Sequence, residues 1–229
     1  RKVAKITGVP EGTPVFGGSD QSMAALGNGL IRGGDAAIAI STGGQFLVIS
    51  KKGLIDPKRR LHTLNHAIPD AGLYMAATLS AGFSLSWFKN QITGYRDMPY
   101  PKFLEHISAI PPGSNGLFYL PFLAGERTPY FNANLKGAFI GLSHSHSRMH
   151  LTRAVIEGVS FSMRDCLNVF NEMNIPVRRV ILSGGGVKDP VWRQVITDVI
   201  NIPTTIINVQ DHSPFGAAIL AKFAQDGFD

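Results

Sequence analysis

One cysteine, Cys166, stands among 229 residues. A single thiol excludes an internal disulfide framework and any zinc site built from cysteines, and it suits a reducing cytoplasm. Long apolar runs are also missing. Ala36 to Ile40, and Val195 to Ile202 with its polar interruptions, fall well short of the roughly 20 residues that span a membrane, so a soluble protein is expected. Neither GxxxxGK[ST] nor GxGxxG occurs, which argues against a P-loop enzyme and a dinucleotide-binding fold. No repeat of 20 to 50 residues and no secretory leader is evident. The chain opens at Arg1 and stops at Asp229 just past a helical pattern, which reads as a piece of a longer protein.

What is present is apolar and rich in glycine: 44% hydrophobic residues and 25 glycines, enough for one large domain or two small ones. The formal net charge is +6, but the cations are scattered, with Lys51-Lys52 and Lys58-Arg59-Arg60 as the clusters. A solvated rim is expected there rather than a nucleic-acid surface, and a moderate positive field favours anionic small ligands such as phosphates.

Periodicity predicts strands at Thr13 to Gly17, Ala36 to Ser41, Gln45 to Ser50, His62 to Ala67, Leu73 to Ala77, Arg178 to Leu182 and Thr204 to Asn208. Helices are predicted at Gln21 to Leu30, Ser80 to Gln91, Tyr100 to Ala109, Pro190 to Asn201 and Pro214 to Ala224. A long helix capped by Ser147 carries Leu151, Val155, Val159, Met163, Leu167 and Phe170 as a stripe. The alternation in the second half implies an α/β layer with partly parallel strands in a mixed sheet. Pro111 to Gly113 is the one candidate boundary.

Three junctions between strands and loops carry small residues: Gly17-Gly18-Ser19-Asp20, Ser41-Thr42-Gly43-Gly44 and Ser183-Gly184-Gly185-Gly186. Glycine lets backbone approach a ligand, and amides exposed at a turn or helix start form an anion site. Three such loops suggest a nucleotide whose phosphates lie in a cleft. Asp20 has two readings, an N-cap or a general base beside a phosphate chain, and spacing alone favours the cap.

Other polar clusters read as structural. His144, His146 and His150 lack a neighbouring carboxylate and fit a solvated loop. His62 and His66 share a strand face, either in a cleft wall or on an exposed surface. Glu126-Arg127-Thr128-Pro129 reads as an ion-pair turn or a cleft rim, and Cys166 as a small buried hydrophobe.

The stretch GAFIGLSHSHSRMHLTRAVIE, Gly137 to Glu157, resembles the signature of the FGGY carbohydrate kinases. GGSDQSMAALG, LPFLAGERTPYFNANLKG and SGGGVKDPVWRQVITDV are similar to the same family, so the resemblance covers nearly the whole chain. RLHTLNHAIP and LPFLAGERTP look most like the xylulokinase branch. The resemblance implies a ribonuclease-H-like domain of the actin and hexokinase type, with a mixed sheet flanked by helices. Residues 1–229 would be the C-terminal ATP-binding domain, without the N-terminal sugar-binding domain.

It further implies ATP and Mg²⁺ as cofactors, with Asp20 as the catalytic base toward a sugar hydroxyl. Ser41, Thr42, Gly43 and Gly44 correspond to the family's GTSG phosphate hairpin, with Ser41 in place of the first glycine and Gly43 in place of the serine. Gly82 would approach the nucleotide, Gly184, Gly185 and Gly186 would border the adenosine, and Asp189 would lie near adenine or ribose. The expected reaction is phosphorylation of D-xylulose. Alternatives are a gluconate, ribulose or other pentulose kinase, or a non-catalytic actin-like nucleotide-binding module. A homodimer is what the family suggests, with no nucleic acid or membrane partner and no protein metal site.

Overall fold

The computed structural model describes residues 2–209 and 211–226. A short helix α1 (Lys2–Thr7) leads to α2 (Asp20–Gly27), and two hairpins follow: β1 (Asp35–Ile40) with β2 (Gly44–Lys51), then β3 (His62–Asn65) with β4 (Ala71–Thr78). Next come α3 (Gly82–Trp87), a π-turn at Phe88–Ile92, and a one-turn α4 (Tyr100–Phe103). A separate ribbon of β5 (Phe118–Leu120) and β6 (Ala138–Ile140) precedes the long α5 (Arg148–Glu172). The chain ends in an alternation of β7 (Arg179–Ser183), α6 (Pro190–Ile200), β8 (Thr204–Ile206) and α7 (His212–Asp226).

Six strands form one mixed sheet in the order β3-β4-β2-β1-β7-β8. β7 runs parallel to both β1 and β8, and the other pairings are antiparallel. Alternation along the strands gives the sheet two apolar faces. Ile38, Ile40, Phe46, Val48, Tyr74 and Ala76 join the larger core, which includes the α5 stripe and Trp192 of α6. Ala37, Leu47, Leu73 and Ile181 face the other way, onto Ala25 of α2 and Leu30. The sheet therefore lies between two helical layers, as the family resemblance implied.

An ion pair ties the first rung of the central parallel strands. Arg179 donates to Asp35 through Nε at 2.7 Å and Nη2 at 3.0 Å, while Asp35 Oδ2 also accepts the amides of Ile31 and Arg32. Burial would raise the Asp35 carboxyl, but these bonds outweigh it and hold the group below its ordinary range. Asp35 pairs with Arg179 at the first rung, so the loops that leave β1 and β7 emerge side by side at the far end.

Several expectations need correction. Thr13 to Gly17 is irregular and exposed rather than a strand. The predicted helix at Tyr100 to Ala109 is one turn of α4 and a short 3-10 turn, Ile107–Ala109, separated by His106 in the left-handed region at φ 68°. Pro111 to Gly113 divides no cores, because Phe103 before it and Leu117 after it belong to one cluster. The β6 strand was not anticipated. Arg60 is no solvated rim residue: it is buried, binds Asp56 through Nε at 3.0 Å and Nη2 at 3.1 Å, and reaches Glu172 at 2.6 Å. Among the described residues no helix is long and apolar enough to cross a membrane.

Candidate functional site

The β1–β2 turn is tight. Ser41 donates to the Gly43 carbonyl through its amide at 3.0 Å and through Oγ at 3.2 Å. The start of α3 then clasps this hairpin: Ala81 and Phe83 donate to the Thr42 carbonyl at 3.1 and 3.0 Å, and Gly82 to the Ser41 carbonyl at 2.7 Å. A Cβ on Gly82 would fall onto that same carbonyl, so glycine is required for the approach. The amides of Thr42 and Gly43 have no acceptor among the described residues. They are the donors the hairpin presents.

The loop after β7 lies against the end of β1. Gly184, at φ 90°, sits over the Ile40 carbonyl, and Gly186 faces the Ile40 side chain and the Trp192 ring. Gly185 has open space where a Cβ would stand. Asp189 caps α6, its Oδ1 accepting the Trp192 amide at 3.0 Å.

A cleft of about 620 Å³ opens between these two loops. Ser41, Thr42, Gly82, Gly185, Gly186 and Asp189 all line it, so six of the expected nucleotide residues converge. Gly43 and Gly44 do not. They turn inward, where added Cβ atoms would stand 2.6 Å from the Thr78 carbonyl and the Thr78 Oγ1. Gly184 lines instead a second groove of about 740 Å³ on the α2 side, with Gln21, Asn28, Gln45 and Ser183. Gly185 and Lys188 border both.

Sequence reasoning missed the apolar wall of the cleft, formed by Phe83, Leu85, Tyr100, Leu104 and Trp192. Its signal was weak, because these residues also satisfy ordinary helix periodicity. Lys188, in the glycine loop, was likewise overlooked. A flat aromatic or heterocyclic ring suits such a wall, while the amides at the hairpin suit an anion.

Asp20 is not the N-cap. Ser19 holds that position, its Oγ accepting the Ser22 amide at 3.3 Å, and Asp20 is the first helical residue. The Asp20 side chain is exposed and makes no hydrogen bond among the described residues; its carbonyl accepts Ser213 Oγ at 3.3 Å. It does not line the 620 Å³ cleft, but stands next to Gln21 at the second groove. Helix α2 is held there by a close crossing with α7: a Cβ on Gly27 would fall onto the His212 carbonyl, and one on Gly216 onto the Met23 carbonyl.

The remaining clusters are structural. His146 Nδ1 accepts the Ser143 amide at 3.0 Å and His150 Nδ1 the Ser147 amide at 3.2 Å, both local turn and cap bonds. No His, Cys, Asp or Glu cluster among the described residues could hold a metal ion. His62 is exposed whereas His66 is buried, so the two do not form one wall. Burial lowers the His66 pKa to about 4. Glu126 forms no ion pair among the described residues; it is buried and accepts the Leu79 and Arg127 amides at 2.9 and 2.6 Å. Cys166 is fully buried, as expected.

Comparison with known proteins gives this geometry a context. A xylulose kinase from Bacillus subtilis is 36% identical over 228 residues, covering 99% of this chain and 45% of that protein. Among solved structures, a xylulose kinase from Rhodospirillum rubrum superposes with a TM-score of 0.90 at 30% identity, over 100% of this chain and 46% of that one. A gluconate kinase from Lactobacillus acidophilus gives 0.90 at 26% identity, over 100% and 46%. The chain thus spans about half the length of the relatives it matches. The fold is the actin- and hexokinase-like one of these sugar kinases. The sequence profile of the "FGGY family of carbohydrate kinases, C-terminal domain" matches residues 36–225, leaving α2 and Asp20 outside the matched span. With that match covering most of its length, the chain belongs to the FGGY family of carbohydrate kinases.

Proposed function

We propose that this chain is the ATP-binding half of a sugar kinase that transfers the γ-phosphoryl group of ATP to a hydroxyl of a ketose, D-xylulose before other sugars. The observation that carries this reading is the convergence of the hairpin, the α3 clasp and the glycine loop on one cleft in an FGGY chain. Trp192, Leu85 and Leu104 would hold the base, and the hairpin amides with Gly185 and Lys188 would hold the phosphates. The free hairpin amides and the open space at Gly185 fit that group. Mg²⁺, when bound with the nucleotide, would supply charge neutralisation on the phosphates.

Asp20 then stands on the acceptor side. As the sugar oxygen bonds to the γ-phosphorus, Asp20 takes its proton, and the bond to the bridging oxygen of ADP breaks. Exposure and the lack of a side-chain partner leave this carboxylate available. Positioning and fixed dipoles supply most of the remaining acceleration. Its matched relatives are about twice as long, so we assign sugar recognition to the remainder of such a protein and expect little turnover from this chain alone. The reading includes a cytoplasmic homodimer with neither nucleic acid nor membrane as partner. Preference for xylulose over gluconate follows the xylulose kinases among the relatives.

The test is ATP-dependent phosphorylation of a panel of ketoses and gluconate by the full-length protein. Asp20→Asn should lower kcat by roughly 10²- to 10⁴-fold with little change in the KM for ATP. Turnover within a few-fold of wild type would remove Asp20 as the base, and robust turnover by the 229-residue chain would refute the division of labour.

A further inference from the structure

Glu126 is a buried carboxyl that the chemistry above does not use. It is 3% exposed, and its Oε2 has no partner among the described residues. Its Oε1 accepts the amide of Leu79. Leu79 directly follows Thr78, the last residue of β4, and precedes the clasp. The two sides of this turn touch the hairpin differently. Thr78 abuts Gly43 and Gly44 from behind, and Ala81, Gly82 and Phe83 bind the Ser41 and Thr42 carbonyls from the side. The segment that shapes the hairpin is thus tied, at its middle, to a carboxyl from a distant loop.

We propose that Glu126 is a positioning residue for the phosphate hairpin: by holding the Leu79 amide it fixes the 78–83 turn, and through that turn the Thr42 and Gly43 amides. The proposal rests on the reading of the hairpin as the phosphate loop. Burial pushes the Glu126 carboxyl toward its protonated form, in which Oε1 still accepts. Glutamine keeps the same acceptor. Two residues on, Thr128 Oγ1 accepts the Ala77 amide and donates to the Arg60 carbonyl, so it supplies buried bonds in the same segment without touching Leu79.

Amide hydrogen exchange on this chain, combined with MgATP binding to the full-length protein, tests the proposal. In wild type the Leu79 amide should exchange as slowly as Ala77 within β4; fast exchange there would overturn the idea without any variant. Glu126→Leu should accelerate exchange at residues 41–44 and 79–83 and weaken MgATP by about tenfold or more, the equivalent of one lost buried hydrogen bond. Glu126→Gln should restore both. Thr128→Val should lower Tm while hairpin exchange stays as in wild type. Equal acceleration by Thr128→Val, or none by Glu126→Leu, would reduce Glu126 to a general structural residue. Failure of wild type to bind MgATP would instead sink the phosphate reading, with the exchange pattern still deciding whether Glu126 controls the hairpin.

Discussion

The amide of Gly82 reaches the carbonyl of Ser41 at 2.7 Å, and the space between the two residues admits no side chain. Gly82→Ala should therefore force the clasp open. We expect a loss of about 1–3 kcal/mol, typical of overpacking, together with weaker MgATP binding. Urea unfolding and calorimetry measure both, and unchanged affinity in the folded variant would detach the clasp from the nucleotide.

Neighbouring glycines in the second loop should behave oppositely. Gly185 has a helical backbone, φ −65° and ψ −35°, and open space beside it, so Gly185→Leu should fold with stability near wild type yet project into the cleft. Gly186→Leu would meet Ile40 and Trp192 and should destabilise the domain. Circular dichroism melts paired with nucleotide titrations separate the outcomes; a Gly185→Leu variant that binds MgATP normally would place the ligand elsewhere.

Asp56 and Arg60, four residues apart between β2 and β3, form a buried pair. Burial opposes the Asp56 charge, but the Arg60 bonds overcome it and hold its pKa below the ordinary value. Removing Asp56 strips Arg60 of two of its three carboxylate bonds and leaves only the half-exposed Glu172 to compensate its charge, so Asp56→Ala should cost about 2 kcal/mol or more, read as a shift of the denaturant midpoint. Glu172 is half exposed, and Glu172→Gln should change stability much less.

His66 should make stability fall on acidification. Its Nδ1 accepts the Ile68 amide at 3.0 Å, so the neutral ring carries its proton on Nε2, which is buried without a partner. The folded pKa of about 4 lies below the ordinary value of 6.5. The unfolded chain therefore binds more protons between these values, and stability drops as pH falls through that window, by about 3 kcal/mol when fully expressed. Burial raises Glu126 and Asp165, which act in the opposite sense, so the informative quantity is the difference between wild type and His66→Asn. That difference should shrink as pH falls from 6.5 to 4 in urea titrations; a constant difference would assign the acid sensitivity to other groups.

Much of the scaffold was legible because it depends on local periodicity. The β1–β2 hairpin, the α5 stripe and the strand-loop-helix run around Gly184 each carry their pattern within a few residues. What failed depended on partners far along the chain. Val15 and Phe16 look like strand residues, yet among the described residues no strand pairs with them and they remain exposed. Arg60 and Glu126 look like surface charges until Glu172 and the Leu79 amide are placed beside them. The capping role of Asp20 failed by one residue, because Ser19 satisfies the same amides equally well. The loop residues that converge on the cleft carry a backbone signal in the sequence, whereas the cleft wall at Tyr100 and Trp192 required the tertiary fold.

The parallel pairing of β1 with β7 has a consequence for synthesis. Neighbouring strands stand about 4.8 Å apart, but here the stretch from Ile40 to Arg179 separates them in the chain. A nascent chain displays its hairpin long before the glycine loop leaves the ribosome. Until then the Asp35–Ile40 edge is an open template for wrong partners. Because the cleft is lined by both loops, any ligand that needs the two together can stabilise the domain only after the glycine loop has emerged.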